Sequence, residues 1–288
     1  MRISVLIAFL FLLPALANGQ KWSSKRKYST RKNTLYIYWG YNRSMYTKSD
    51  INFVGPRYNF IAENVAASDR PSNKLNEYFA PNKFTIPQFN VRVGYYYADH
   101  WDVSFGYDHM KYVMDPNQTI YLNGHIETST SELNGDYDQS TGKIPIRYED
   151  LHYENTNGLN YISVQLTNTT PRYETRDRKF AIHQILGGGG GPVLTQTGFN
   201  WDGVEYQSGM AITGYGLSVH AGVRFDFFNR FFLMSDWSTG FIHLPHNRTI
   251  QNAPDYARQK FVFAQWVLMG GVFFYMPAIN GCDSCPDW

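Results

Sequence analysis

Apolar and polar residues alternate one by one along much of this chain. Residues 34–41, 89–97 and 101–108 (TLYIYWGY, FNVRVGYYY and WDVSFGYD) carry large apolar side chains at every second position. In the last two segments the positions between them hold small or polar residues, such as Asn90 and Ser104. A period of two is the pattern of a β-strand with one apolar and one polar face. We therefore predict three strands here, the last two joined as a tight hairpin.

The same alternation returns in the second half of the chain, at residues 160–167, 211–227 and 231–242. Residues 179–197 form another candidate strand, which contains five consecutive glycines, Gly187–Gly191. Glycine in a strand often marks an irregularity. We therefore predict a bulge, a sharp bend or a loop at the glycines.

Residues 261–276 are apolar almost throughout, and Gln265 is their one clearly polar residue. A single transmembrane helix would fit this run. The pair Gly270-Gly271 and the high content of Val, Phe, Tyr and Trp favour a strand instead. We predict the strand and keep the helix as the alternative.

The connections between the predicted strands are of two kinds. Tight turns lie at 98–100 and 228–230, whereas other connections are long and polar. The long ones are 64–86, 115–154, 195–209 and 245–260. Short turns on one side and long loops on the other are typical of membrane barrels. A further strand within 51–68 would place both tight turns on the same, periplasmic side.

Three features favour a barrel over a soluble β-sandwich. The apolar faces are rich in Tyr and Trp near the predicted strand ends, as at Trp39, Tyr41, Trp101 and Trp237. The opposite faces are small and polar, and strand length approaches the 9–11 residues that cross a bilayer. Only a closed sheet satisfies every backbone group in lipid. The predicted fold is all-β: a closed antiparallel up-and-down transmembrane β-barrel of about ten strands, with eight or twelve open.

The composition and the first residues of the chain exclude several classes of protein. Of the 288 residues 17% are aromatic and 17% charged, and the formal net charge is +2. A disordered chain and an electrostatic nucleic-acid binder are both disfavoured, and the mean hydropathy of −0.41 excludes a polytopic helical membrane protein. Residues 1–17 have a charged start, an apolar run and Ala15-Leu16-Ala17, which predicts a secretory signal peptide. Residues 18–33 are predicted to be a basic periplasmic leader, followed by the barrel at 34–276.

The only two cysteines, Cys282 and Cys285, lie in the predicted C-terminal tail 277–288 as a CxxC pair. Such a pair can be a redox dithiol, half of a zinc site or a local disulfide. No further zinc ligands lie nearby, and Gly281 and Pro286 flank the pair where a redox motif would open a helix. We favour a tail disulfide between Cys282 and Cys285.

The last strand Gly271–Tyr275, together with Thr85–Met114 and Gly214–Phe225, resembles outer-membrane β-barrel proteins of Gram-negative bacteria. Thr85–Met114 and Gly214–Phe225 are similar to porin-like barrels of the Bacteroidota, and many such proteins have no established activity. It implies location in the outer membrane, contact with lipid and lipopolysaccharide, and insertion by the barrel-assembly machinery. The chain departs from that pattern because Pro277–Trp288 follow the last strand, where such barrels commonly end.

Two groups of polar residues are candidates for function. Ser218 and His220 lie two apart on one strand face, and Asp108 or Asp236 could orient the imidazole. Such a set could catalyse acyl transfer. The alternative is a set of residues that line the lumen without catalysis. That predicted set is Arg92, Asp102, Asp108, Ser218, His220, Arg224 and Asp226. No metal or cofactor is predicted, and His243 and His246 are the only loosely ligand-spaced pair.

The leading functional expectation is a non-enzymatic outer-membrane barrel with a structural role, a passive role in passage or binding of small solutes, or a place in an envelope complex. One alternative is a membrane-embedded acyl hydrolase acting on lipid A or phospholipid. A second is a soluble secreted β-sandwich that binds carbohydrate or protein. Nucleic acid is not an expected partner.

Overall fold

The computed structural model describes residues 31–72, 88–128 and 132–276. The predicted signal peptide, most of the predicted leader and the tail with Cys282 and Cys285 lie outside these ranges. The strands are β1 Thr34–Tyr46, β2 Ser49–Gly55, β3 Tyr58–Val65, β4 Ala67–Ser68, β5 Phe89–Tyr96, β6 Trp101–Met114, β7 Gln118–Ile126, β8 Gly135–Tyr137, β9 Lys143–Ile146, β10 Leu151–Glu174, β11 Phe180–Thr195, β12 Gly198–Trp201, β13 Val204–Gln207, β14 Ala211–Phe227, β15 Phe231–Arg248 and β16 Tyr256–Tyr275. In this part of the chain no helix has the length and apolar character needed to cross a membrane.

Eight of these strands close into a ring in the order β1-β5-β6-β10-β11-β14-β15-β16, and β16 pairs back onto β1. All pairs in the ring are antiparallel, and the closing register runs from Thr34↔Tyr275 to Tyr46↔Phe263. The prediction of a closed antiparallel up-and-down barrel is confirmed. The ring has eight strands instead of the expected ten, which agrees with the smaller of the two alternative strand numbers. Residues 261–275 belong to β16, so the helical alternative is wrong.

The two ends of the ring differ in how the strands are connected. Short turns follow β5, β10 and β14, at the end where β1 begins and β16 stops; we call this the lower end. All longer connections lie at the opposite, upper end. The strand expected within 51–68 is instead the hairpin β2–β3, which lies outside the ring. It does not run along the ring, because β2 pairs with β16 only at Tyr256–Gln259, the upper extremity of that strand.

Much of the long polar connections is strand rather than loop. The hairpin β2–β3 pairs with β16 on one side and with β7 on the other, and β7 pairs with β8 and β9. The hairpin β12–β13 pairs with the upper end of β10. We call these seven strands (β2, β3, β7, β8, β9, β12 and β13) the cap. The sheet therefore continues above the ring.

The cap has its own aromatic core. Phe53 stacks on Phe60 and on Phe199 with ring centroids 5.2 and 5.5 Å apart, and Trp201 lies 5.5 Å from Phe60. All four side chains are buried. Burial of a large apolar side chain contributes about 1.5–3 kcal/mol, and each aromatic pair adds about 0.5–1.5 kcal/mol. The cap is thus a packed layer, continuous with the apolar residues at the top of the ring.

The outer face of the ring is apolar and exposed. Phe105, Leu217 and Val219 have 59%, 58% and 59% of their side chains exposed, whereas Arg92 on an inward position has 3%. Trp237, expected near a strand end, lies in the middle of this face instead, paired across the strands with Trp266. The Trp266 indole N–H donates to the Ser235 hydroxyl at 3.0 Å, which satisfies it without water. A continuous apolar surface of this kind marks a membrane or protein contact.

The five glycines Gly187–Gly191 do not interrupt β11. They pair in continuous register with β14, from Gly187↔His220 to Gly191↔Gly216, so the predicted bulge, bend or loop is wrong. A Cβ at Gly189 would overlap the backbone of Val164 on β10. The glycines are needed for the close approach of neighbouring strands and side chains rather than for a turn.

Above the upper end of β5, which is where that strand begins, side chains complete the barrel wall. β5 begins at Phe89, while β1 and β6 on either side continue upward. There the Asn42 side-chain amide donates to the His109 carbonyl at 3.2 Å, and the Tyr46 hydroxyl donates to the Lys111 carbonyl at 2.8 Å. Asp69 accepts the Ser44 amide at 3.0 Å. Side chains thus replace the missing ladder of backbone hydrogen bonds.

Candidate functional site

The barrel interior holds the predicted lumen-lining residues and the candidate acyl-transfer residues. The predicted lumen-lining set, Arg92, Asp102, Asp108, Ser218, His220, Arg224 and Asp226, is buried on inward strand positions. These residues are not spread evenly. They form one cluster at mid-height, a second near the lower end, and a smaller one along β10 and β14.

The mid-height cluster is centred on an ion pair between two neighbouring strands. Arg92 on β5 lies 3.3 Å (Nη2 to Oδ2) from Asp108 on β6, and it also donates to the Ser163 hydroxyl at 3.0 Å. The Asn90 side-chain amide donates to the other carboxylate oxygen of Asp108. Asn42 extends the set by donating to Asn90 at 2.6 Å. Because Arg92 and Asp108 are both buried, each charge depends on the other to compensate for the loss of hydration.

The lower cluster gathers three basic side chains around one carboxylate. Arg224 binds Asp226 through two hydrogen bonds, of 2.8 and 3.2 Å. Arg31, which precedes β1, reaches Asp226 at 2.9 Å, and Nε2 of His183 lies 3.0 Å from it. The Arg31 guanidinium also lies 4.3 Å from the centre of the Phe273 ring. Arg31 belongs to the predicted basic leader, where nothing in the sequence distinguishes it from the other cations.

Aromatic side chains fill the space between these clusters. Tyr36 and Tyr38 stack with ring centroids 6.1 Å apart, and Tyr36 donates to Asp102 at 2.6 Å. Tyr96, Phe232 and Phe273 pack around Tyr36. The expectation of a small, polar inner face is therefore wrong for the lower half of the barrel. The reason is that tyrosine carries both an apolar ring and a hydroxyl, and so fits inside a narrow polar barrel as well as at a membrane surface.

The candidate acyl-transfer residues do not form the expected nucleophile and base. His220 does bind Asp236, with 3.1 Å between Nδ1 and Oδ2. Its Nε2, however, lies 3.4 Å from the Thr167 hydroxyl, and the Ser218 hydroxyl pairs with the Tyr161 hydroxyl at 3.2 Å. Asp108, the other carboxylate considered, is held by Arg92.

The glycines of β11 explain these pairings. Gly187 lies in register between Thr167 on β10 and His220 on β14, and Gly189 lies between Gln165 and Ser218. A Cβ at Gly187 would collide with the His220 imidazole. Without side chains on β11, residues two strands apart meet directly. This contact between non-neighbouring strands was not foreseen from sequence, although the glycine run is its visible signal.

Among the described residues, buried side chains lie at both ends of the interior. Above it lie Tyr161 and Phe263, whose rings meet at 6.3 Å, and then the buried residues of the cap. Below it lies the Arg31–Asp226 contact. A small cavity remains between the clusters, and Tyr96, Asp102, Thr167, His220 and Arg224 are among the residues that line it.

The described residues contain no group of three His, Cys, Asp or Glu side chains able to hold a metal ion. His243 and His246 do not act together: His243 contacts the Tyr215 hydroxyl at 3.3 Å, while His246 stacks on Tyr256 at 4.2 Å. Cys282 and Cys285 lie outside the described residues, so their predicted disulfide stays a prediction.

No protein-family model and no curated protein matches this chain. Several solved structures are similar. The attachment invasion locus protein Ail of Yersinia pestis is 14% identical, with 84% of this chain and 99% of that chain covered and a TM-score of 0.34. The outer membrane protein OprG of Pseudomonas aeruginosa is 10% identical, covering 86% and 99%, with a TM-score of 0.40. The outer membrane protease OmpT of Escherichia coli is 9% identical, covering 88% and 100%, with a TM-score of 0.39.

Proposed function

We propose that this chain is an outer-membrane barrel that conducts no solute and holds a rigid β-sheet cap at the outer surface, where the cap binds a partner. The proposal includes export by the N-terminal signal peptide and insertion by the barrel-assembly machinery. It selects, among the roles expected from the sequence, the structural and binding roles over the pore.

The observation that carries the proposal is the opposite character of the two faces of one ring. Outside, Phe105, Leu217 and Val219 are exposed and apolar. Inside, Arg92 pairs with Asp108, and Asp226 pairs with both Arg224 and Arg31. A ring of eight strands leaves an interior that side chains can fill. The ion pairs and tyrosines occupy much of that interior, which supports a barrel that conducts no solute.

The packed cap supports the binding role. An extracellular loop that only connects strands needs no core, yet the cap buries Phe53, Phe60, Phe199 and Trp201. A rigid surface loses less conformational entropy on binding than a flexible loop does. The cap therefore suits recognition at the cell surface better than it suits a passive lid.

Two measurements test this function. Planar-bilayer recordings of the refolded protein are expected to show no stepwise conductance, and regular conductance steps would contradict the closed lumen. For topology, a cysteine at Arg57 in the β2–β3 turn is compared with one at Arg178 in a lower turn, both in a Cys282→Ser/Cys285→Ser background. A membrane-impermeant maleimide on whole cells is expected to label Arg57→Cys alone, and equal labelling would contradict the orientation.

A further inference from the structure

Basic side chains cluster on the outer face of β15 and β16, just above the apolar surface. Arg258 and Lys260 are consecutive outward residues of β16 and are exposed, as is Arg248 on β15. His243 lies directly across from Lys260, and Arg248 lies across from Tyr256. We call His243, Arg248, Arg258 and Lys260 the basic rim.

The rim cations are not compensated by acidic residues. Arg248, Arg258 and Lys260 form no ion pair with any residue in the described ranges. Asp50, an exposed acid on the adjacent β2, accepts the Asn64 amide at 2.8 Å. The three rim cations outnumber this one exposed acid, which leaves an excess of positive charge, in contrast to the paired charges inside the barrel.

The height of the rim matches a lipid headgroup. The outward residues of β16 below it are apolar, beginning with Val262 immediately below Lys260. On β15 the half-buried Phe241 likewise precedes His243. A bilayer that covers the apolar surface would therefore place its polar headgroups at Lys260 and Arg258.

One of the rim side chains is held in place by a neighbouring ring. The Arg258 guanidinium lies 5.1 Å from the centre of the Tyr256 ring and donates to the Tyr256 hydroxyl at 2.8 Å. The His246 ring also packs against Tyr256, with the two ring centroids 4.2 Å apart. A preorganised guanidinium binds phosphate with two parallel hydrogen bonds and loses less side-chain entropy in doing so.

From charge, height and preorganisation we infer that the basic rim is a binding site for the phosphate groups of a lipid headgroup, namely those of lipid A in the outer leaflet. Lys260 and Arg258 contact the phosphate, and Arg248 adds charge beside Tyr256. The inference rests on the proposed membrane location, and it adds a specific lipid and a specific place on the barrel wall.

The test uses the full mature chain in phosphatidylcholine vesicles that contain either phosphorylated lipid A or the same lipid A with its phosphates removed. Retention of lipid A on the protein is measured by native mass spectrometry after mild detergent extraction. The variant Arg248→Gln/Arg258→Gln/Lys260→Gln is compared with Arg57→Gln/Arg178→Gln/Arg230→Gln, which loses the same charge away from the rim.

Each basic residue near an anionic lipid surface contributes a factor of about five to affinity, so the rim variant is expected to bind phosphorylated lipid A about a hundredfold more weakly. The control variant and the wild type are expected to bind alike, and removal of the phosphates is expected to abolish the difference. Equal retention by the rim and control variants, or equal retention of both forms of lipid A, would overturn the inference. Failure of the wild type to insert into either vesicle would instead overturn the membrane location.

Discussion

Nη2 of Arg31 lies 2.9 Å from Oδ2 of Asp226, which joins the segment before the first strand to the end of β14. The two residues are 195 positions apart in the chain, and both are buried. Asp226 also holds Arg224 and lies beside His183, so this one carboxylate is the shared counterion of two buried arginines at the lower end of the barrel.

Removal of the Asp226 charge is expected to destabilise the barrel strongly. Asp226→Asn leaves Arg31 and Arg224 buried without compensation, which costs about 3–5 kcal/mol. The measurement is the urea midpoint of the heat-modifiable band in detergent. Asp177→Asn, in the exposed lower turn, is the control and is expected to change little. Equal midpoints for the two variants would contradict a structural role for the carboxylate.

Loss of a cap aromatic is expected to unfold the cap and leave the ring intact. Phe53→Ala removes a fully buried ring that touches Phe60 and Phe199, at a cost of about 3–5 kcal/mol. Limited proteolysis of protein in vesicles is expected to cleave the variant between β2 and β3, while heat-modifiable mobility persists. Tyr148→Ala, at a partly exposed ring, is the control. Resistance of Phe53→Ala to protease would show that the cap does not depend on this core.

A single methyl group on β11 is expected to disturb the barrel more than one on β16. Gly189→Ala places a Cβ against the backbone of β10, whereas at Gly270 the nearest atom to a new Cβ is a Leu233 methyl carbon at 3.7 Å. Overpacking typically costs about 1–3 kcal/mol. Refolding yield and urea midpoint are expected to fall for Gly189→Ala and to stay unchanged for Gly270→Ala. If both variants refold alike, the close approach across β11 is not required.

Stability near the cap is expected to depend on the ionisation of Asp69. Burial raises the pKa of this carboxyl above its ordinary value of 3.8, against the opposing hydrogen bond from the Ser44 amide. The protonated form is thus favoured in the folded state. The protonated Asp69 carboxyl gives its full stabilisation of the folded state below pH 3.8. This stabilisation is lost as the pH rises through the pKa that Asp69 has in the folded state.

Asp69→Asn is expected to remove this pH dependence and to preserve the Ser44 contact. Asp69→Ala should leave the Ser44 amide without its partner, which costs about 1–3 kcal/mol at any pH. Urea midpoints from pH 3 to pH 7 distinguish the two variants. A pH profile for Asp69→Asn that parallels the wild type would assign the dependence to another group.

The ring was largely predictable from sequence, because its strands bury one face and expose the other over many residues. The alternation at 211–227 and 231–242 coincides with β14 and the lower part of β15. The cap was not predictable. Its strands are short. In β2, Ile51 and Phe53 alternate with Asp50 and Asn52, but the pattern covers too few residues to be distinguished from the surrounding polar sequence.

The candidate site was predictable only within single strands. The shared face of Ser218 and His220 follows from a period of two, but their partners Tyr161 and Thr167 come from β10, two strands away. That meeting depends on the absence of side chains on β11 and on the stagger of three strands. Neither feature can be derived from the alternation of polar and apolar residues within one strand.

The pairing of β1 with β16 also determines when the molecule can be completed. Thr34 and Tyr275 are partners, so the cylinder cannot be sealed before the whole polypeptide has been synthesised. Until then β1 presents an unsatisfied edge of the kind that recruits other chains. Contacts of such sequence separation form slowly. A molecule truncated before β16 is therefore expected to aggregate rather than persist as a smaller cylinder.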